Sequence, residues 1–202
     1  MNKKQRKKKK SIMLRNKKLC KKYPFLIPRY SWTGKVADNY DYSYTEWDCI
    51  PDGWKIAFGD MLLKELGTEL ERYNFLDKYR IIEIKEKYGS LRIYDNGIPR
   101  GCKAWDIIES YARLSENICI VCGRPDVAHT TSGWIIPACK DCYNKNEYIF
   151  QPYEELYNSE SKMADALCYS RYNGTEWVKE TIDISAKAEK IRTRWYKKYK
   201  SY

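Results

Sequence analysis

The chain has 202 residues, of which 43% are hydrophobic and 32% are charged. This length is enough for one domain with a buried core, and the aromatic content of 15% argues against a disordered chain. No apolar run approaches the roughly 20 residues of a membrane-spanning helix. The single histidine, His129, excludes mechanisms that require two histidines.

The net charge of +11 is unevenly distributed along the chain. Residues 1–37 contain 14 Lys/Arg and no Asp/Glu, and residues 184–202 contain seven Lys/Arg and one acid. The remaining residues, 38–183, contain 17 basic and 26 acidic side chains. Two basic ends therefore flank an acidic body, a pattern that favours contact with a polyanion through the ends.

Residues 1–22 form a polybasic arm with twelve Lys/Arg. Because like charges at this density repel each other, we expect most of the arm to be mobile until a partner neutralises it. Lysine outnumbers arginine, which favours nonspecific phosphate contact. A solubilising tail and contact with a membrane surface or an acidic protein are the alternatives. The candidate nucleic-acid contacts in the arm are Lys3, Lys4, Arg6, Lys7, Lys8, Lys9, Lys10, Arg15, Lys17 and Lys18.

The N-terminus has a basic stretch but not the apolar region of a secretory signal. Only residues 12–14 are apolar, whereas a signal needs about 7–15 such residues. We therefore expect a cytoplasmic protein, not a secreted one, whose eight cysteines remain reduced.

The body is predicted to span residues 23–150. Residues 23–52 are rich in aromatic residues without a clear period, and residues 53–73 have helical periodicity that Gly67 interrupts. Residues 79–95 alternate apolar and charged side chains around Tyr88-Gly89-Ser90, which predicts a β-hairpin. Residues 103–118 return to a helical period and lead into the cysteines.

The C-terminal extension is predicted to span residues 151–202. We expect a helix over 152–168, a hairpin over 169–182 that turns at Asn173-Gly174, and a basic helix over 184–200. In the last helix, basic residues alternate with aromatic ones, an arrangement that grips and stacks nucleic acid. It equally describes an amphipathic helix that packs its aromatic residues on the body. The candidate contacts are Arg192, Arg194, Lys197 and Lys198.

Four cysteines have the spacing of a structural metal site. Cys119-x-x-Cys122 is followed, after sixteen residues, by Cys139-x-x-Cys142, which fits the spacing window of a zinc ribbon over 117–145. Two such knuckles bring four sulfurs to about 2.3 Å from one Zn²⁺ and leave no ligand position for water. The predicted metal therefore has a structural role.

Other uses of these cysteines remain open alternatives. A redox-active dithiol needs one pair rather than two, and an iron–sulfur cluster accepts the same four thiolates. His129 lies between the knuckles, but its spacing fits neither pair, so we interpret it as a loop residue. The four cysteines without a knuckle partner are interpreted as free thiols; they are Cys20, Cys49, Cys102 and Cys168.

Several motifs together resemble a group of small zinc-ribbon proteins of phages and prophages. They are Asp52-Gly53-Trp54 at the start of a helix, the run from Ile84 to Tyr94, and Cys119-x-x-Cys122-Gly123, followed by Gly133-Trp134 and Cys139-x-x-Cys142. The resemblance covers about residues 23–145. It implies a mobile genetic element, hence a bacterial host cell, and a zinc ribbon, but no particular activity.

One short motif is also found in nucleases. Glu83-Ile84-Lys85 places an acid and a lysine on one strand face, and metal-dependent nucleases combine such a pair with an upstream acid, here Asp60 or Asp77. The alternative is a solvated hairpin face on which Glu83, Lys85 and Arg92 pair. The sequence has no phosphate-binding glycine loop, and we predict no catalytic residue.

The sequence thus predicts a small α+β protein: helix, β-hairpin and helix leading into a four-cysteine zinc ribbon, with a basic arm and a C-terminal helical extension. We expect a non-enzymatic phage-type protein that binds a nucleic acid or nucleoprotein through its basic ends. The alternatives are an anti-defence inhibitor, for example of a CRISPR-type nucleoprotein, that binds protein through its acidic, tyrosine-rich body, a virion or assembly component, and a magnesium-dependent nuclease.

Overall fold

The computed structural model describes residues 2–30, 32–129, 135–145, 162–172 and 175–199. Short 3₁₀ turns cover Pro24–Leu26 and Glu46–Cys49, and a π-helical turn covers Lys55–Gly59. The helices and strands are α1 (Lys3–Lys22), α2 (Asp52–Trp54), α3 (Asp60–Arg72), β1 (Ile81–Lys87), β2 (Ser90–Asp95), α4 (Ala104–Ser115), α5 (Lys140–Lys145), β3 (Ala166–Tyr172), β4 (Trp177–Asp183) and α6 (Ser185–Tyr199).

The basic arm is a helix in this structure, so the expectation of a mostly mobile arm is wrong. Lys, Arg, Gln and Leu have high helix propensity. Asn2 begins α1 with a capping box, because its Oδ1 accepts a hydrogen bond from the Gln5 amide at 2.9 Å and the Gln5 side chain accepts one from Asn2. Asn16 and Cys20 anchor the second half of α1 in the body, whereas residues 2–11 are exposed.

The helical stretch after residue 52 does not bend at Gly67, contrary to the sequence prediction. α3 continues through Gly67 to Arg72. A Cβ at Gly67 would lie 2.9 Å from the ring of Tyr23, so this glycine allows the segment after α1 to pack closely against α3. The irregularity lies earlier, in the π turn between α2 and α3.

The hairpin forms as predicted, from antiparallel strands β1 and β2. Tyr88 and Gly89 turn the chain with positive φ, and Ile84 and Leu91 point into the core. α4 packs on this hairpin: the hydroxyl of Ser115 accepts a hydrogen bond from the Leu91 amide at 2.9 Å. α4 ends at Ser115, shorter than predicted, and the residues after it form the first cysteine knuckle.

The C-terminal hairpin of β3 and β4 and the helix α6 share the apolar core of the body. Leu167, Ile184 and Ile191 are buried in the same cluster as Trp54 and Tyr111. Of the predicted helix over 152–168, residues 151–161 lie outside the described residues, and Ala166 begins a strand because its side chain and those after it alternate toward the core. The Asn173-Gly174 turn and Gly133-Trp134 also lie outside them.

The mixed α+β class with a four-cysteine cluster is confirmed. Among the residues that the structure describes, none of the helices combines the length and the apolar character needed to cross a membrane.

Candidate metal centre and basic face

The first knuckle is a tight turn closed by backbone hydrogen bonds. The Gly123 amide donates to the carbonyl of Cys119 at 2.9 Å, and the Cys119 amide donates to the carbonyl of Arg124 at 2.8 Å. Gly123 has φ +80°, a conformation that side-chain-bearing residues rarely adopt. This turn places Cys119 and Cys122 on one side of the backbone.

The second knuckle precedes α5. Tyr143 donates its amide to the carbonyl of Cys139 at 2.8 Å, which starts the helix that contains Cys142. The amide of Ile120 donates to the carbonyl of Pro137 at 2.9 Å and thereby ties the two knuckles together. The described residues of 117–145 contain two isolated bridges and this helix, so a strand-built ribbon remains a prediction.

The four sulfurs are close enough to share one ion. Their Sγ atoms all lie within 4.8 Å of one another, and Cys122 and Cys139 are 3.7 Å apart. A tetrahedron with Zn–S bonds of 2.3 Å has sulfur–sulfur distances of about 3.8 Å. Among the described residues, these cysteines form the one group of three or more candidate ligands, and His129 is not part of it.

The electrostatics of the cluster favour a bound cation. Contacts from the thiols of Cys122 and Cys139 lower the pKa of Cys119 to about 2, and backbone amides of the same two residues add to this. The contact with Cys119 raises the pKa of Cys122 far above its usual range. Without a cation, one thiolate is therefore stabilised at the expense of its neighbours, whereas a metal ion deprotonates coordinating thiols outright.

The donor set fits a structural zinc site. Cys119 and Cys139 are buried and Cys122 and Cys142 are partly buried, so the site is shielded from solvent. Four thiolates fill the tetrahedral shell, and a bound Zn²⁺ would hold the two knuckles at fixed distance. The same four sulfurs also suit an iron–sulfur cluster.

The metal centre supports the segment that contains α2 and the π turn. The Gly53 amide donates to the carbonyl of Ile120 at 3.0 Å, and the buried indole of Trp54 donates to the carbonyl of Ile118 at 2.9 Å. A Cβ on Gly53 would lie 2.1 Å from the carbonyl oxygen of Cys119. The residues that follow, beginning with Lys55, are therefore positioned by the first knuckle.

Lys55 lies between two cavities. The first, the α1 cavity, has a volume of about 480 Å³ between α1 and the Thr45–Lys55 segment. The second, the α6 cavity, has a volume of about 290 Å³ between the π turn and α6. Because Lys55 lines both, the two basic ends of the chain meet on one side of the molecule. We call the cations that line these cavities the basic face: Arg15, Lys18, Lys22, Lys55, Arg194 and Lys198.

The structure places the predicted arm residues at different distances from this face. Lys3 to Lys10 are exposed on the half of α1 that extends away from the body, and Lys9 pairs with Asp41 at 3.4 Å. Arg15 and Lys18 line the α1 cavity. Lys17 is exposed and lies 5.9 Å above the ring of Tyr42.

In α6, two of the four predicted contacts bind the body instead of being free. Arg192 forms a bidentate ion pair with Asp126, with distances of 2.8 and 3.0 Å. Arg194 forms an ion pair with Asp60. Lys197 and Lys198 remain exposed. Part of α6 is thus the docked amphipathic helix that the sequence offered as the alternative.

Sequence reasoning missed three members of these cavities. Lys22 ends α1, Lys55 lies within an apolar helical pattern, and Trp47 lies in a stretch without periodicity. No local motif marks them, because they come together only when α1 packs on the Thr45–Lys55 segment.

The nuclease-like motif forms an internal pair. Lys85 donates to Glu83 at 2.7 Å, while Arg92 lies opposite Lys85 in the hairpin and donates to Ser90. The candidate third acid Asp60 pairs with Arg194. Comparison of the chain with protein-family models, curated proteins and solved structures gave no match.

Proposed function

We propose that this is a non-enzymatic, zinc-stabilised protein of phage type that binds a nucleic acid or nucleoprotein through its two basic ends. The observation that carries the proposal is the position of Lys55, which lines the cavities beside both α1 and α6. Ends that are far apart in sequence therefore form one cationic surface, which a single phosphate backbone can follow.

The charge balance of the basic face supports this proposal. Six cations line the two cavities, and the acids that line them are Asp48 and Asp60. Each acid is already paired with an arginine, Arg15 or Arg194. Lys18, Lys22 and Lys198 are exposed, so counterions around them are available for exchange with phosphates.

The exposed half of α1 extends this surface. The helix is about 30 Å long at 1.5 Å per residue, and residues 2–11 make up most of its free half. Cations four residues apart, such as Lys3 and Lys7 or Lys4 and Lys8, repel each other. A phosphate backbone along this half would relieve that repulsion.

The test is the salt dependence of nucleic-acid binding by the zinc-loaded protein. Labelled DNA and RNA, single-stranded and duplex, are titrated by fluorescence anisotropy between 50 and 200 mM salt. The triple variant Lys18→Gln, Lys22→Gln and Lys198→Gln is expected to bind more weakly. Its slope of log K against log salt is expected to be shallower by about 0.7–0.9 for each phosphate that the variant no longer neutralises.

A matched variant separates the basic face from net charge. Lys64, Lys78 and Lys179 are exposed and line neither cavity, so their replacement by Gln removes the same charge elsewhere. This control is expected to keep most of the slope. Equal effects of the two triple variants, or no binding by the wild-type protein, would contradict the proposal.

A second candidate function is protein binding, and a separate surface favours it. Trp105, Tyr172 and Trp177 line a hollow of about 290 Å³ between α4 and the C-terminal hairpin. Their exposed fractions are 41%, 54% and 72%, and clustered aromatic residues are typical of protein interfaces. An anti-defence inhibitor or an assembly component would use this surface. Loss of partner capture in Trp177→Ser, with nucleic-acid binding retained, would support this function.

A further inference from the structure

The α1 cavity combines an aromatic wall with cations. Its volume of about 480 Å³ lies within the ~300–1,000 Å³ range of small-ligand sites. Trp47 and Leu19 form apolar wall, whereas Lys18 and Lys22 stand at the side formed by α1. A ligand that suits both parts has a flat apolar ring and a negative charge.

Trp47 is held in a fixed position. A Cβ on Gly59 would lie 3.0 Å from Cζ2 of Trp47, so the glycine lets the indole lie against the π turn. Trp47 is partly buried and packs on the core, yet it lines the cavity. A rigid aromatic surface of this kind stacks a base at little cost in side-chain entropy.

The acid in the cavity is neutralised by its surroundings. Asp48 pairs with Arg15 at 3.1 Å and accepts hydrogen bonds from the amide and hydroxyl of Thr45 at 2.7 and 3.0 Å. The buried side chain of Asn16 also donates to it at 3.4 Å. Lys18 and Lys22 form no ion pair with Asp48, and their charge faces solvent at the edge of the cavity.

We propose that the α1 cavity binds one nucleotide unit of a single-stranded nucleic acid, with the base stacked on Trp47 and the phosphate held by Lys18 and Lys22. This inference rests on the proposed function and deepens it, because it assigns single strands as the preferred partner. A duplex keeps its bases stacked inside, so it contacts only the cations.

The test compares a single strand with an abasic strand of the same length, which keeps the phosphates and lacks the bases. The full-length, zinc-loaded protein is expected to bind the intact strand about 5- to 150-fold more tightly, the range that corresponds to stacking of one base. Trp47→Leu is expected to bind both strands with the same affinity, and Trp47→Phe to retain most of the preference. Lys18→Gln is expected to weaken both strands equally.

Trp177→Leu is the matched control, because it removes an exposed indole that lines neither basic cavity. Its preference for the intact strand is expected to stay unchanged. Zinc content and the far-ultraviolet circular dichroism spectrum verify that each variant is folded. Should Trp47→Leu be unfolded, ¹⁹F NMR of 5-fluorotryptophan protein gives the answer, with Trp47 assigned through Trp47→Phe: its resonance is expected to shift with the intact strand and not with the abasic one.

The outcomes separate this inference from the proposed function. Equal affinity of the wild-type protein for intact and abasic strands would overturn base stacking and leave phosphate binding in place. A preference that Trp47→Leu keeps, or that Trp177→Leu loses, would also overturn it. No binding of either strand would overturn both.

Discussion

Gly53 and Gly123 lie against each other, backbone to backbone. A Cβ on Gly123 would stand 2.6 Å from the carbonyl oxygen of Gly53, closer than a side chain permits. Gly123 belongs to the first cysteine knuckle and Gly53 begins the segment that leads to Lys55. The metal centre and the basic face are thus joined by a contact that only glycine allows.

Gly123→Ala is predicted to separate these two parts. The substitution adds a clash with Gly53 to the strain of a positive φ, which alone costs on the order of 1–3 kcal/mol. Gly97→Ala is the matched control, because Gly97 also has positive φ but has no atom within 4 Å of its Cβ position. Chemical denaturation measures both. Equal losses in the free energy of unfolding would show that the contact has no role.

Removal of the metal is predicted to unfold the knuckles and to disturb the Lys55 segment. Binding of a structural zinc contributes about 10–16 kcal/mol in small zinc domains. We expect Cys139→Ser, or treatment with a chelator, to abolish the near-ultraviolet circular dichroism of the buried indole of Trp54, which hydrogen-bonds to Ile118. An unchanged spectrum after complete metal removal would contradict this coupling.

The exposed half of α1 is predicted to gain stability when a polyanion binds. Asn2 caps the helix, and loss of such a cap costs about 1 kcal/mol. Asn2→Ala is therefore expected to speed amide exchange in residues 3–14, and nucleic acid to slow it again by neutralising the lysines. Hydrogen–deuterium exchange measures both effects. Exchange that does not respond to nucleic acid would show that this half of α1 does not bind it.

The docking of α6 is predicted to depend on pH. Burial of Asp126 opposes ionisation, but Arg192 and the amide of Met163 outweigh it and lower the pKa of Asp126. A carboxyl whose pKa is lowered by folding stabilises the fold above its unfolded value, about 3.9, and this stabilisation is lost as pH falls through the lower folded value. Wild-type stability should fall over this range more than that of Asp126→Asn, at fixed zinc. Parallel pH profiles would contradict the pairing.

The sequence predicted the elements whose signals are local. The β1–β2 hairpin follows from alternation around Tyr88 and Gly89, and the cysteine cluster follows from the spacing of two pairs, because both depend on neighbours along the chain. The capping box of Asn2 and Gln5 is also a local signal. It predicts a helix start that charge repulsion alone had concealed.

The basic face was beyond sequence analysis because packing creates it. Lys55 and Trp47 become parts of cavities only through the docking of α1 and α6 on the Thr45–Gly59 region. Arg192 is equally instructive. In sequence it is one of several cations in a basic helix, but its partner Asp126 lies 66 residues away, and this ion pair removes it from the exposed cations.

Alkylation of the native protein, followed by mass spectrometry, tests the four-cysteine metal centre most directly. Cys49 and Cys168 are exposed and serve as internal controls, whereas burial raises the pKa of Cys20 and of Cys102 and slows their reaction. We predict one zinc per chain, rapid labelling of Cys49 and Cys168, and labelling of Cys119, Cys122, Cys139 and Cys142 only after chelation. Labelling of these four at the rate of Cys49 in untreated protein, or a chain without stoichiometric metal, would contradict the account.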